Sequence, residues 1–201
     1  MPPAVLAILA HPLPESLCRR LFDAAVGAAR AGGARVTLRD LYTEGFAPAL
    51  TPAERAAYTG PSPDLTAVAA EVAELQAAEV LILVFPTWWS GFPAILKGWF
   101  DRVWLPGVAF ATDLPGGPIR PRLKRLRAVV AITTMGSPGW VDRLVLRQPL
   151  RRVLVRGIVG PCAKGARVRW LALHGAEVVD EGRAARFEAR VVAAVGKAVG
   201  R

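Results

Sequence analysis

A chain of 201 residues, 53% hydrophobic and 21% charged, is long enough for one domain with a substantial core, and its composition excludes a disordered protein. No apolar run approaches the ~20 residues of a membrane helix, and the N-terminus lacks a basic leader with a cleavage site, so a cytoplasmic protein without membrane insertion is expected. The net charge of +10, carried mainly by arginine, points to an anionic partner without naming it.

Residues 4–10 form a short continuous apolar run that reads as a buried strand. It stops at His11-Pro12, and Ser16 then caps a helix carrying Leu17, Leu21, Ala25, Ala28 and Ala29. Gly32-Gly33 ends that helix, and residues 34–38 read as a second strand followed by an irregular stretch, 40–50. Thr51, Pro52 and Glu54 have the spacing of a capping box with proline at the first helical position. A longer helix after Pro63 carries Leu65, Val68, Val72 and Leu75 on one face. Residues 80–85, VLILVF, are apolar at every position, the mark of a central parallel strand buried on both faces. The helix after it begins near Pro93; Phe92, Ile95, Leu96, Trp99, Phe100 and Val103 form its buried stripe, with Lys97, Asp101 and Arg102 on the other side.

Between 105 and 127 no periodicity is visible, and Pro106-Gly107 and Pro115-Gly116-Gly117-Pro118 mark a long loop. Residues 128–133 read as a fourth strand, 138–157 as helical in part with an interruption at Pro149, and 168–173 as a fifth strand. A last helix over 180–199 places Phe187, Val191 and Val195 on one face. Five strands alternating with helices predict a three-layer α/β protein with a doubly wound parallel sheet in the flavodoxin-like order 2-1-3-4-5. In that order the loops after strands 1 and 3 open a crevice at the carboxyl ends of the strands, the default ligand position.

The first of these loops, HPLPESLCRR, runs into a helix start, whose free N–H groups attract anions. Arg19 and Arg20 in the first turn oppose the helix dipole, an arrangement that either a bound phosphate or bending of both side chains into solvent would relieve. The second loop brings Trp88 and Trp89 to the crevice, off any helical face, where they offer flat surface for a planar heterocycle. Trp99 belongs instead to the core. A third turn, TTMGSPG from 133, follows strand 4, and its small residues allow backbone to approach a ligand ring. Cys18 and Cys162 fit neither a zinc site nor a disulfide framework, no G-x-S-x-G elbow is present, and His174 reads as structural. Arg143, Arg147, Arg151, Arg152 and Arg156 lack the interleaved aromatics of a nucleic-acid surface and read as a solvated or subunit-contacting helix face.

Three stretches in this order, HPLPESL at 11–17, FPTWWSGFPAILKGWFDRV at 85–103 and TTMGSP at 133–138, resemble the NAD(P)H:quinone oxidoreductase family, whose fold is flavodoxin-like. PGVAF at 106–110 is similar to that family's flavin-covering loop. The resemblance implies noncovalent FAD or FMN, with His11, Ser16, Leu17 and Cys18 around the phosphates. It places Pro86, Thr87, Trp88, Trp89 and Ser90 along the ring and ribityl chain, and Thr133, Thr134 and Gly136 by the pyrimidine edge. It further implies a homodimer in which NAD(P)H gives hydride to the flavin and a quinone or similar acceptor takes the electrons. The flavin carries the chemistry and no protein nucleophile is required. The Tyr–His pair some members carry after the third loop has no match in Gly139-Trp140-Val141-Asp142-Arg143, so charge stabilisation falls to backbone N–H groups or Arg143. The alternative is a flavin-binding regulatory or ancillary subunit of a larger transport complex, docked through its basic face. The arginine excess leans toward NADPH.

Overall fold

A computed structural model describes residues 1–58, 63–112 and 117–200. Strand β1 (Ala4–Leu9), β3 (Val80–Pro86) and β6 (Ala128–Met135) are buried at every position, as the apolar sequences of β1 and β3 and the apolar run that opens β6 require. Half-buried β2 (Arg35–Asp40) and β7 (Arg167–His174) close the two edges. All five strands pair in parallel in the order β2-β1-β3-β6-β7. Setting aside the short hairpin described below, this is the expected 2-1-3-4-5 order. The register, Val5 opposite Val80 and Val80 opposite Ala128, brings the carboxyl ends of the three central strands to one edge.

Because side chains alternate across a strand, each central strand feeds two cores. Leu6, Ile8, Leu81, Leu83, Val129 and Ala131 face helices α3 (Ala69–Ala77) and α4 (Ala94–Val103), with Trp99 fully buried between them. Val5, Ala7, Ile82, Val84, Val130 and Ile132 face α1 (Leu17–Ala31) and the last helix, Glu181–Val199, which contributes Phe187, Val191 and Val195. Ser16 and Asp180 cap these last two helices through side-chain oxygens that accept from Arg19 N (3.1 Å) and Arg183 N (2.7 Å). Among the described residues no helix is long and apolar enough to cross a membrane.

Several expectations change. Arg102 does not face solvent. It is 7% exposed, donates through Nε to Glu54 Oε1 at 2.9 Å and through Nη1 to Ala47 O at 2.5 Å, and lies over the Phe46 ring. The irregular 40–50 stretch folds down onto α4, so closely that a Cβ at Gly98 would fall inside the backbone of Pro48, and it covers a face that periodicity alone leaves open. Glu54 belongs to α2 (Pro52–Ala57), whose capping box with Thr51 is formed as expected.

The 105–127 loop contains a two-stranded antiparallel hairpin, β4 (Phe110–Thr112) and β5 (Ile119–Pro121), too short to show a period. Pro115 and Gly116 lie outside the described residues. In the 138–157 stretch the break precedes Pro149. A π-type turn, Val141–Val145, in which Leu146 N donates to Val141 O at 2.9 Å, runs into Arg147 and Gln148, both at positive φ. Short helical turns, α5 (Pro149–Arg152) and α6 (Gly160–Cys162), then flank a second π-type stretch, Val153–Val159. The helix Glu181–Val199 is α7.

Arg102→Ala would strand the Glu54 carboxylate in a largely covered site, and a loss of about 3–5 kcal/mol is expected in urea denaturation at pH 7. Burial pushes the Glu54 carboxyl up, but the Thr51 N–H and Arg102 outweigh it and hold it below its ordinary 4.5. This contribution is therefore complete above pH 4.5 and lost as pH falls through the lower folded-state value. The difference between wild type and variant should shrink in that acid window.

Candidate functional site

The loops after β1, β3 and β6 meet at the carboxyl edge of the sheet and are tied together by polar contacts. Thr87 N donates to Thr134 O at 2.7 Å, and the Thr87 and Thr133 hydroxyls stand 2.7 Å apart. Cys18 Sγ lies 3.4 Å from Thr134 Oγ1, joining the start of α1 to the end of β6. Thr133 and Thr134 are both buried, so these contacts set the loops' spacing with little room to slide.

Pro86 is the last buried residue of β3, and the chain beyond it turns sharply. Trp88 N donates to Gly91 O (3.2 Å) and Gly91 N to Trp88 O (2.9 Å), closing a turn whose central residues, Trp89 and Ser90, have φ of 50° and 57°. Two consecutive non-glycine residues in the left-handed region, one of them a tryptophan, cost on the order of 1–3 kcal/mol each. What this strain achieves is placement: the Trp89 side chain stands wholly in solvent at the mouth of the crevice. Trp88, 43% exposed, leans on His11, with ring centroids 6.4 Å apart.

In the first loop His11 Nδ1 accepts from Leu13 N at 3.1 Å. Burial lowers the imidazole from its ordinary value and so favours the neutral ring, and the bond accepted at Nδ1 leaves the proton of that form on Nε2. Ser16 is committed to its cap, while the Leu17 and Cys18 amides, at the N-terminus of a 15-residue helix, have no acceptor among the described residues. Arg19 and Arg20 do not aim at that end. Arg19 binds Asp40, and Arg20 bridges Glu188 (2.6 Å) and Glu181 (2.7 Å), so carboxylates rather than a phosphate or solvent answer their charge.

Trp89, Ser90 and Thr87 form one wall of a cavity of about 230 Å³, and Met135, Gly136 and Ser137 the opposite one. Its floor includes a residue the sequence reading missed, Asp142, 7% exposed. Asp142 Oδ2 lies 3.2 Å from His174 Nε2, so the buried carboxylate anchors strand β7, while the Asp142 backbone carbonyl accepts from Gln148 N at 2.8 Å and closes the turn after Arg147. Sequence spacing could not reveal a pair so distant in the chain. Arg143, next to Asp142, points the other way and lines a separate cavity against α7. A larger hollow, about 460 Å³ near Phe100, Trp104 and Cys162, lies toward the far end of α4, away from all three loops.

Sheet order and the crevice at its switch point together define a doubly wound α/β protein of the flavodoxin type. The chain belongs to the Flavodoxin_2 family, described as having the flavodoxin-like fold, whose model matches residues 3–194. It is 36% identical over 122 residues to an uncharacterized NAD(P)H oxidoreductase of Escherichia coli K12, covering 58% of this chain and 61% of that protein. It is 34% identical over 153 residues to NAD(P)H dehydrogenase [quinone] 1 of Rattus norvegicus, covering 66% of this chain and 53% of that one. The chain thus spans about half to two thirds of the length of these curated relatives. An NAD(P)H:quinone oxidoreductase of Methanothermobacter marburgensis superimposes with a TM-score of 0.79 at 25% identity, covering 96% of this chain and 94% of the other.

Burial raises the Cys18 thiol to about 11, against a smaller opposing effect of Thr134, and burial alone does the same for Cys162. At pH 8 roughly one thiol in a thousand is then ionised. Neither cysteine should be carbamidomethylated by iodoacetamide in the folded protein under conditions that label both after denaturation. Mass spectrometry of the native reaction checks this.

Proposed function

We propose that the chain is a single flavin-binding domain, 1–201, acting as a two-electron oxidoreductase that takes hydride from NAD(P)H and reduces a quinone or similar small acceptor. The observation that carries this reading is the strained Trp88–Gly91 turn, which spends backbone energy to stand an indole beside the crevice. The residues present suit a flavin. The open Leu17 and Cys18 amides and the α1 dipole would hold its phosphate. The Trp89 face would pack on its ring system, with Gly136 and Ser137 opposite. When bound, the flavin supplies the two-electron chemistry. The chain's own contribution is position: Asp142 offers an anchored acceptor at the floor, and neutral His11 offers an Nε2 donor near the first loop. The relatives named as quinone-reducing enzymes support the acceptor class. They lend no support to the ancillary transport subunit.

The proposal includes a cytoplasmic homodimer. The cavity, about 230 Å³, is smaller than the ~300–1,000 Å³ of a whole small-molecule pocket, and a second protomer's surface would enlarge it. Trp89, Trp140, Leu144 and Val145 leave an exposed apolar rim at that place.

Purified protein should be yellow and release FMN or FAD identifiable by mass; protein that stays colourless and fails to bind either when added ends the reading. Trp89→Ala is expected to weaken flavin binding about tenfold, read by flavin fluorescence titration. Leu144→Asp should shift sedimentation from dimer to monomer and lower flavin affinity with it; a monomeric wild type would remove the dimer.

A further inference from the structure

Helix α7 divides its charges between two faces. Glu181 and Glu188 turn toward α1, where both bind Arg20. Arg183, Arg186 and Arg190, at i, i+3 and i+7, take another face and, with Arg143 from the π-type turn, surround a cavity of about 380 Å³ whose base is the end of β7. Two of the four are held in place without being neutralised. Arg183 Nη2 donates to His174 O at 2.5 Å, and the Arg190 guanidinium lies 5.5 Å from the centre of the Phe187 ring. Among the described residues no carboxylate lines this hollow. Arg19, Arg20, Arg39 and Arg102, by contrast, all find one.

Four cations around one concavity repel one another, and the acidic residues of the same helix are spent elsewhere. Guanidinium groups match phosphate oxygens in paired, parallel hydrogen bonds. We propose that this cavity is a phosphate-binding site, distinct from the crevice at Trp89, for the phosphate group of a small ligand: the 2′-phosphate of NADPH or a separate phosphorylated metabolite. Asp142 and His174 form the wall between the two cavities, so either source would lie beside the proposed flavin site.

Inorganic pyrophosphate, titrated into the full-length protein by calorimetry at low salt, should bind saturably. Binding should weaken about tenfold or more in R186Q/R190Q, two exposed positions outside the Trp89 crevice. A control, R151Q/R152Q, removes the same charge from another exposed segment and should leave it unchanged. Absence of saturable binding overturns the proposal, as does equal weakening in both double variants. Undiminished binding in R186Q/R190Q, which would belong to the α1 N-terminus instead, also overturns it. Competition separates the sources: NADPH displacing pyrophosphate where NADH does not identifies the cofactor's phosphate, and simultaneous binding identifies a separate ligand. Pyrophosphate binding needs no flavin, so failure of the flavin reading and failure of this site are distinguishable.

Discussion

The constraint on which the structure depends is the burial of β1, β3 and β6 on both faces. A strand covered on two sides tolerates a polar side chain only where a hydrogen bond answers it, as at Thr133 and Thr134 of β6, and with its backbone groups paired to neighbours it has no freedom to shift register. The pairing of Val5 with Val80 and Val80 with Ala128 brings three loops from distant parts of the chain to one edge. Their convergence follows from the sheet and owes little to the loops themselves. Short polar contacts then fix their spacing, with Thr87 joined to Thr133 and Thr134, and Thr134 to Cys18.

On this rigid edge the chain places strain where it is useful. Trp89 and Ser90 adopt a conformation better suited to glycine, and the closed hydrogen bonds between Trp88 and Gly91 hold them there. Opposite, a Cβ at Gly136 would come within 2.9 Å of Glu177 Oε1, the tip of an exposed side chain that can swing aside. A buried carboxylate, Asp142, anchors that loop's continuation to β7 through His174. The crevice is therefore bounded by one strained turn and one pinned turn.

Much of this was legible in the residues because burial leaves a period. The uninterrupted apolar runs at 80–85 and 128–133 announced central strands, and the stripe through Trp99 separated a core tryptophan from Trp88 and Trp89. The Ser16 cap and the Thr51 capping box were equally plain, since each depends on local spacing alone. What escaped depended on contacts between distant segments. Arg102 looked solvent-facing because the stretch that covers it, 40–50, has no regular structure. Asp142 and His174 carry no shared motif, and β4 and β5 have three residues each, too few to alternate visibly. The fate of Arg19 and Arg20 was open for the same reason, their carboxylates lying on β2 and α7.

The parallel register also bears on how the molecule assembles. Every pairing in the main sheet joins strands separated by a crossover, and none can form as a local hairpin. Such a chain must close long loops before it gains the burial that offsets them, which places it among slower-folding topologies. Since the crevice exists only where β1, β3 and β6 end side by side, its walls come together after the central strands have docked. A half-assembled molecule would expose three strongly apolar segments and no binding site. Ligand present during synthesis could then stabilise the finished state by mass action but could not template the early steps.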